Sequence, residues 1–149
     1  MSYDLRELYQ EVILDHNKRP RNKGAVAEPT ATADGHNPLC GDIVHLTLRT
    51  EGGKVQEIAF DGAGCAISTA SASMMTEAVK GLTIEEAEEL FKQFQSMVTS
   101  DASEEELPDL GALNALAGVR EHPVRIKCAT LAWHTLSAAL ENKGKATTE

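Results

Sequence analysis

Ile43-Val44-His45-Leu46-Thr47-Leu48-Arg49-Thr50, then Glu51-Gly52-Gly53, then Lys54-Val55-Gln56-Glu57-Ile58-Ala59-Phe60-Asp61: two runs rich in β-formers flank a short joint that carries two glycines. The length and composition of that joint suit a hairpin, so the runs read as antiparallel strands. Along the first run Val44, Leu46 and Leu48 alternate with other residues, which gives the strand one apolar face. Carried back two residues, the alternation puts Asp42 in phase with that face. A carboxylate there needs a partner, because an unpaired buried charge is costly.

Upstream, residues 25–39 contain Pro29, Gly35 and Pro38 and read as loop with a short strand about residues 30–34. Before it, Leu5, Leu8, Val12 and Ile13 recur at helical spacing over residues 3–18, and Pro20 with Gly24 ends the element. Downstream, residues 65–80 are crowded with Ala, Ser and Met, with Ile67, Ala70, Met74 and Ala78 on one helical stripe closed by Gly81. Thr83 followed three positions on by Glu86 is a capping box and predicts a helix to about residue 98. Residues 100–109 are acidic and contain Pro108, which reads as an exposed connection to a short helix about residues 113–116. Pro123 can open a last helix, supported by Ile126, Leu131, Leu136 and Leu140 and ending near Asn142-Lys143-Gly144. The sum is an α+β domain, a small three-stranded antiparallel sheet packed against a helical layer, over residues 1–142 with a flexible tail at 143–149.

The bulk properties narrow the function. A chain of 149 residues is the size of one domain, and 42% hydrophobic with 25% charged residues suits a folded protein. With 14 Lys and Arg against 23 Asp and Glu, the net charge of −9 disfavours nucleic acid as partner. The cluster Lys18, Arg19, Arg21 and Lys23 is the exception and reads as a solvated helix end or a docking patch. The absence of a long uncharged apolar run or a basic leader at the N-terminus predicts no membrane span and a cytoplasmic location.

Three cysteines cannot all pair within the chain, and a reducing compartment leaves them available to metal or to chemistry. Cys40 and Asp42 enclose one glycine at the mouth of the first hairpin strand, where residues two apart in extended chain face one side. Cys65 follows Gly62-Ala63-Gly64 and opens a helix, whose free amides favour a thiolate. Cys128 lies in the first turns of the last helix beside Arg125 and Lys127, cations expected to favour its ionised form and to offset charge near the site. Each cysteine alone also fits a small buried hydrophobe. Together with Asp42 they point to a shared site whose four ligands suit zinc or an iron–sulfur cluster better than magnesium or calcium. Among the histidines, His134 faces away from Cys128 and His45 is out of phase with Asp42, while His36, near Cys40, stays open as a further ligand.

The segments Asn37-Pro38-Leu39-Cys40-Gly41-Asp42, Gly62-Ala63-Gly64-Cys65-Ala66-Ile67-Ser68 and Arg125-Ile126-Lys127-Cys128-Ala129-Thr130-Leu131, with Asp15-His16 and Pro20-Arg21-Asn22-Lys23-Gly24, resemble the IscU/SufU family of iron–sulfur cluster assembly proteins. Lys127 stands where the IscU scaffolds carry a histidine, and the stretch between Cys65 and Cys128 is longer, with the extra length expected between residues 96 and 121. Both features resemble the SufU branch. The resemblance implies zinc held by Cys40, Asp42, Cys65 and Cys128. It also implies sulfur taken onto Cys40 from the persulfide of a pyridoxal-phosphate cysteine desulfurase and passed to a downstream scaffold or acceptor. Two other readings use the same residues: a scaffold for a nascent iron–sulfur cluster, and a purely structural zinc domain.

Overall fold

A computed structural model of the chain describes residues 2–99 and 109–147, with side chains from residue 7 onward. The elements run α1 (Ser2–Lys18), β1 (Ala31–Asn37), β2 (Asp42–Glu51), β3 (Lys54–Ala63), α2 (Ala66–Val79), α3 (Ile84–Thr99), a 3-10 helix (Gly111–Glu121), α4 (Pro123–Leu140) and β4 (Lys145–Thr147). The acidic connection expected at residues 100–109 lies, but for Asp109, outside the described residues.

The sheet order is β3-β2-β1-β4. β1, β2 and β3 are antiparallel neighbours as expected, and β1 is longer than its reading, running on to Asn37. The expected three strands become four, because Lys145–Thr147, inside the segment expected to be tail, pairs parallel with β1. Lys-Ala-Thr carries no apolar run of its own, so its strand state comes from the open edge of β1.

One face of the sheet meets the helices. Val44, Leu46, Leu48, Val55, Ile58 and Phe60 are buried there, and Asp42 is in phase with them as the alternation requires. α2 is buried on more of its surface than one stripe, from Ser68 through Thr76, because Ala and Ser let neighbouring backbones come close. The Ser71 hydroxyl donates to the carbonyl of Ala129 at 2.5 Å and ties α2 to α4. Trp133 of α4 is fully buried and stacks on Phe94 of α3, ring centroids 4.6 Å apart. The capping box forms as read: Thr83 N–H donates to Glu86 Oε1 at 2.9 Å and Glu86 N–H to Thr83 Oγ1 at 3.1 Å. The short helix expected at residues 113–116 is an 11-residue 3-10 helix that buries Leu113, Ala115, Leu116 and Val119.

α4 is seated on β1 through Gly35. A Cβ there would lie 2.0 Å from Thr135 Oγ1 and 3.2 Å from Leu131 Cδ1, and that hydroxyl is itself held by the Leu131 carbonyl at 2.7 Å. α1 is held differently. Tyr9, Val12 and Ile13 pack on the core while Leu8 is exposed, and His16, only 6% exposed, places Nδ1 2.7 Å from the Ser73 hydroxyl of α2. The same Ser73 oxygen accepts the Arg21 N–H at 2.8 Å, and His16 Nε2 lies 3.7 Å from Glu77. The carboxylate favours the proton on Nε2, so the Ser73 hydroxyl donates to Nδ1. Within the basic cluster Arg21 is engaged by Asp15 at 2.5 Å, which holds the Asp15 carboxyl below its usual range.

Two outcomes follow from these seats. Gly35→Ala costs about 1–3 kcal/mol by overpacking, read from urea denaturation. His16 titrates below its ordinary 6.5, chiefly because burial opposes the charged ring and secondarily because Arg21 repels it. The unfolded chain therefore binds the proton more readily than the folded one, so stability is full above 6.5 and falls as pH drops below it. The melting temperature declines with acidification over that range, and His16→Gln flattens the decline.

Candidate metal centre

The β1–β2 hairpin closes on the pair Asn37↔Asp42, leaving residues 38–41 as its loop. Residues directly opposite in an antiparallel ladder point to one face. Asn37 and Asp42 both point into the core, and each is 0% exposed. Gly41 adopts φ +74, a conformation glycine takes without Cβ strain, and donates its N–H to the Asn37 carbonyl at 2.8 Å. The loop thereby lifts Leu39 and Cys40 into solvent above the buried pair. Cys40 and Asp42 converge across a turn, not through the strand alternation expected from the sequence.

The donor atoms of Cys40, Asp42 and Cys128 lie within 4.8 Å of one another, and the two sulfurs are 3.6 Å apart. Cys128, 2% exposed, comes from α4 on the opposite wall. Cys65 caps α2: its sulfur accepts the Ser68 N–H at 3.4 Å, and its own N–H donates to Asp42 Oδ1 at 2.9 Å. Its thiol also neighbours Cys128, although the compact group of three leaves it at the rim. Thus three of the four expected ligands are brought together, and the fourth adjoins them.

Glycine is required beside this carboxylate. A Cβ on Gly64 would fall 2.6 Å from Asp42 Oδ1. The other oxygen, Oδ2, accepts the side-chain amide of Asn37 at 3.2 Å, and the same nitrogen lies 3.6 Å from Cys128 Sγ. The sequence reading did not single out Asn37. Its cross-strand position opposite Asp42 is the signal that finds it, once β1 is known to reach residue 37.

The electrostatics of Cys128 correct one expectation. Burial pushes the Cys128 thiol up, and contacts with Asp42, Cys65 and Cys40 push the same way. Arg125 is exposed and Lys127 half-buried, neither makes an ion pair among the described residues, and burial outweighs any favour they lend the ionised thiol. His36 is exposed on β1 opposite Ile43, outside the cysteine–aspartate group. His134 packs edge-on against Phe91, its ring centroid 5.1 Å away.

A buried carboxylate among thiols is a donor set that suits a thiophilic divalent ion such as zinc, which supplies the positive charge these groups lack and favours loss of their protons. Among the described residues Asp42 Oδ1 accepts the Cys65 N–H and Oδ2 the Asn37 amide, with Cys128 also in hydrogen-bond contact, which leaves lone pairs for a cation.

Residues 8–148 match the model of the NifU-like N-terminal domain. The chain belongs to this family. Among its members it is similar to the zinc-dependent sulfurtransferase SufU of Bacillus subtilis, 47% identical over 133 residues that cover 89% of each chain. It is also similar to the iron–sulfur cluster assembly scaffold protein IscU of Streptococcus pyogenes, 43% identical with 95% of this chain and 88% of that one covered. A crystal structure of a putative iron–sulfur cluster assembly scaffold protein for the SUF system from Fervidobacterium islandicum superposes with a TM-score of 0.81 at 35% identity, over 87% of this chain and 94% of the other. As in those relatives, the fold is α+β. No helix among the described residues is long and apolar enough to cross a membrane.

Gly64→Ala pushes the Asp42 carboxylate from its place. The expected result is a loss of zinc affinity of roughly tenfold or more, measured by competition with a chromophoric chelator, with the far-UV circular dichroism unchanged.

Proposed function

We propose that this NifU-like domain is a zinc-dependent sulfur carrier of iron–sulfur cluster assembly, with Cys40 as acceptor and Cys40, Asp42, Cys65 and Cys128 as the metal ligands. The observation that carries the reading is the contrast within the group: Cys40 is exposed on a glycine-hinged loop, whereas Asp42 and Cys128, whose donor atoms lie within 4.8 Å of it, are buried. The buried members suit holding an ion, and the exposed one suits meeting a partner.

The sulfur donor in this reading is the persulfide of a pyridoxal-phosphate cysteine desulfurase. The Cys40 thiolate attacks the outer sulfur of that persulfide and forms a new S–S bond. The bond to the desulfurase cysteine breaks, and its electron pair leaves as a thiolate. Zinc, when bound, lowers the proton affinity of its thiol ligands and tolerates exchange of one ligand without redox change. Asp42, held by the Cys65 N–H and by Asn37, stays in place while Cys40 moves. A downstream scaffold or acceptor then takes the sulfur. A reducing cytoplasm, which keeps the three cysteines as thiols, is the compartment this chemistry requires.

A cluster scaffold is the second reading, favoured by the relatives that bear that description, such as the Streptococcus pyogenes protein. Against it, Lys127 occupies the position before Cys128 where the resemblance to IscU would place a histidine. Anaerobic reconstitution separates the two, since a scaffold holds a visible-absorbing cluster and hands it intact to an apo-acceptor.

The test of the leading reading combines metal and sulfur. Elemental analysis of the purified chain is expected to find one zinc and no iron. Incubated with desulfurase, cysteine and pyridoxal phosphate, the chain gains sulfur on Cys40 by mass spectrometry. Cys40→Ser lowers desulfurase stimulation by more than about tenfold and abolishes the labelled species. A Cys40→Ser chain that still stimulates and still carries persulfide overturns the assignment.

A further inference from the structure

Asn37 is fully buried, yet its Oδ1 has no hydrogen-bond partner among the described residues. A buried acceptor without a partner ordinarily destabilises the fold by about 1–3 kcal/mol. An apolar residue of similar size would avoid that loss, so the other end of the amide must carry the reason for an asparagine here. That end, Nδ2, has two protons and faces two acceptors: Asp42 Oδ2 at 3.2 Å and Cys128 Sγ at 3.6 Å. Asp42 as carboxylate can only accept, which settles that the nitrogen and not the oxygen of the amide is turned toward it.

The two acceptors come from opposite walls of the centre, Asp42 from the start of β2 and Cys128 from α4, and Asn37 itself closes the hairpin between them. We propose that Asn37 is a positioning residue for the metal, one side-chain amide that holds the carboxylate and the buried sulfur at ligating separation and damps the negative charge on both when they are ionised. The inference rests on the zinc site proposed above and deepens it. Three thiolates and a carboxylate exceed the two charges of a zinc ion by two. Among the described residues three neutral nitrogens donate to the proposed ligands and meet that excess: Nδ2 of Asn37, with two N–H, and the backbone N–H groups of Cys65 and Ser68. Of these the Asn37 amide is the one that reaches two ligands. Its donors go to the buried pair and leave Cys40 without a side-chain bond from it, so the clamp fixes the half of the site that holds metal and spares the half that moves.

Asn37→Leu tests this, because it removes both N–H donors at nearly constant volume, adds no new ligand and also removes the unpartnered Oδ1. Asn37→Ala is the second variant, against the chance that leucine packs badly. Zinc is the probe, its affinity measured on the purified chain by chelator competition, beside the melting temperature of the zinc-free chain. A positioning role predicts zinc bound roughly 10–100-fold more weakly, with the zinc-free melting temperature of Asn37→Leu held or raised. Zinc affinity within about threefold of the parent, far short of the loss expected for a ligand's hydrogen-bond partner, overturns the proposal. So does failure of both variants to fold without zinc, which would make Asn37 a structural residue. Neither measurement involves sulfur transfer, so failure of the relay reading at Cys40 and failure of the clamp are told apart.

Discussion

The buried carboxylate of Asp42 is the constraint around which the rest of this molecule is arranged. A charged group with no exposure needs donors from the protein, and here they come from three places in the chain. The Cys65 N–H reaches Oδ1 from the start of α2, Asn37 reaches Oδ2 from the end of β1, and Cys128 stands opposite on α4. For the first to reach it, residue 64 must lack a side chain. For the last, α4 must lie close on β1, which Gly35 permits. The small residues of α2 bring that helix close as well, and Ser71 fixes it to the Ala129 carbonyl, one residue past Cys128. Packing in this domain serves to hold one anion.

Much of this was legible because the local signals were strong and agreed with the tertiary structure. The hairpin joint, the Thr83–Glu86 box and Pro123 at the start of α4 are devices whose physics is contained in a few neighbouring residues. The burial of Asp42 could be read from phase alone. What escaped were features created by distant partners. β1 runs past Gly35 into Asn37 because β2 offers it a ladder, whereas Asp-Gly-His-Asn-Pro on its own suggests a loop. β4 exists because β1 has a free edge. His16 gave no sign of its burial, since its partner Ser73 is 57 residues away. The expected ionisation of Cys128 was misjudged for a related reason: the sequence shows its neighbours Arg125 and Lys127, whereas the burial that pushes the thiol up comes from elements distant in the chain.

Within the centre the side chains divide by exposure as well as by type. Asp42 and Cys128 are enclosed by β2, α4 and Asn37. Cys40 hangs from a loop with a left-handed glycine, and Cys65 sits at the free end of a helix, its sulfur shared with the Ser68 N–H. In the four-ligand centre proposed above, a zinc ion would meet two buried donors and two exposed ones, and exchange of a ligand would be easiest at the exposed pair.

The sheet order has a consequence for how a second protein can meet the site. β1 and β2, the strands that lead into the Cys40 loop, are both interior, because three residues of β4 cover the flank of β1 and β3 covers the other flank of β2. The outer strands are β3 and β4, and β3 is itself bridged on its far flank by Lys23 at Phe60 and by Thr83 at Lys54. Among the described residues, the stretch Asp34–His36 just before the Cys40 loop already has strand partners on both flanks, so it offers a visiting chain no free edge on which to extend the sheet. A partner that meets Cys40 over that stretch would thus be recognised by side chains rather than by extension of the sheet.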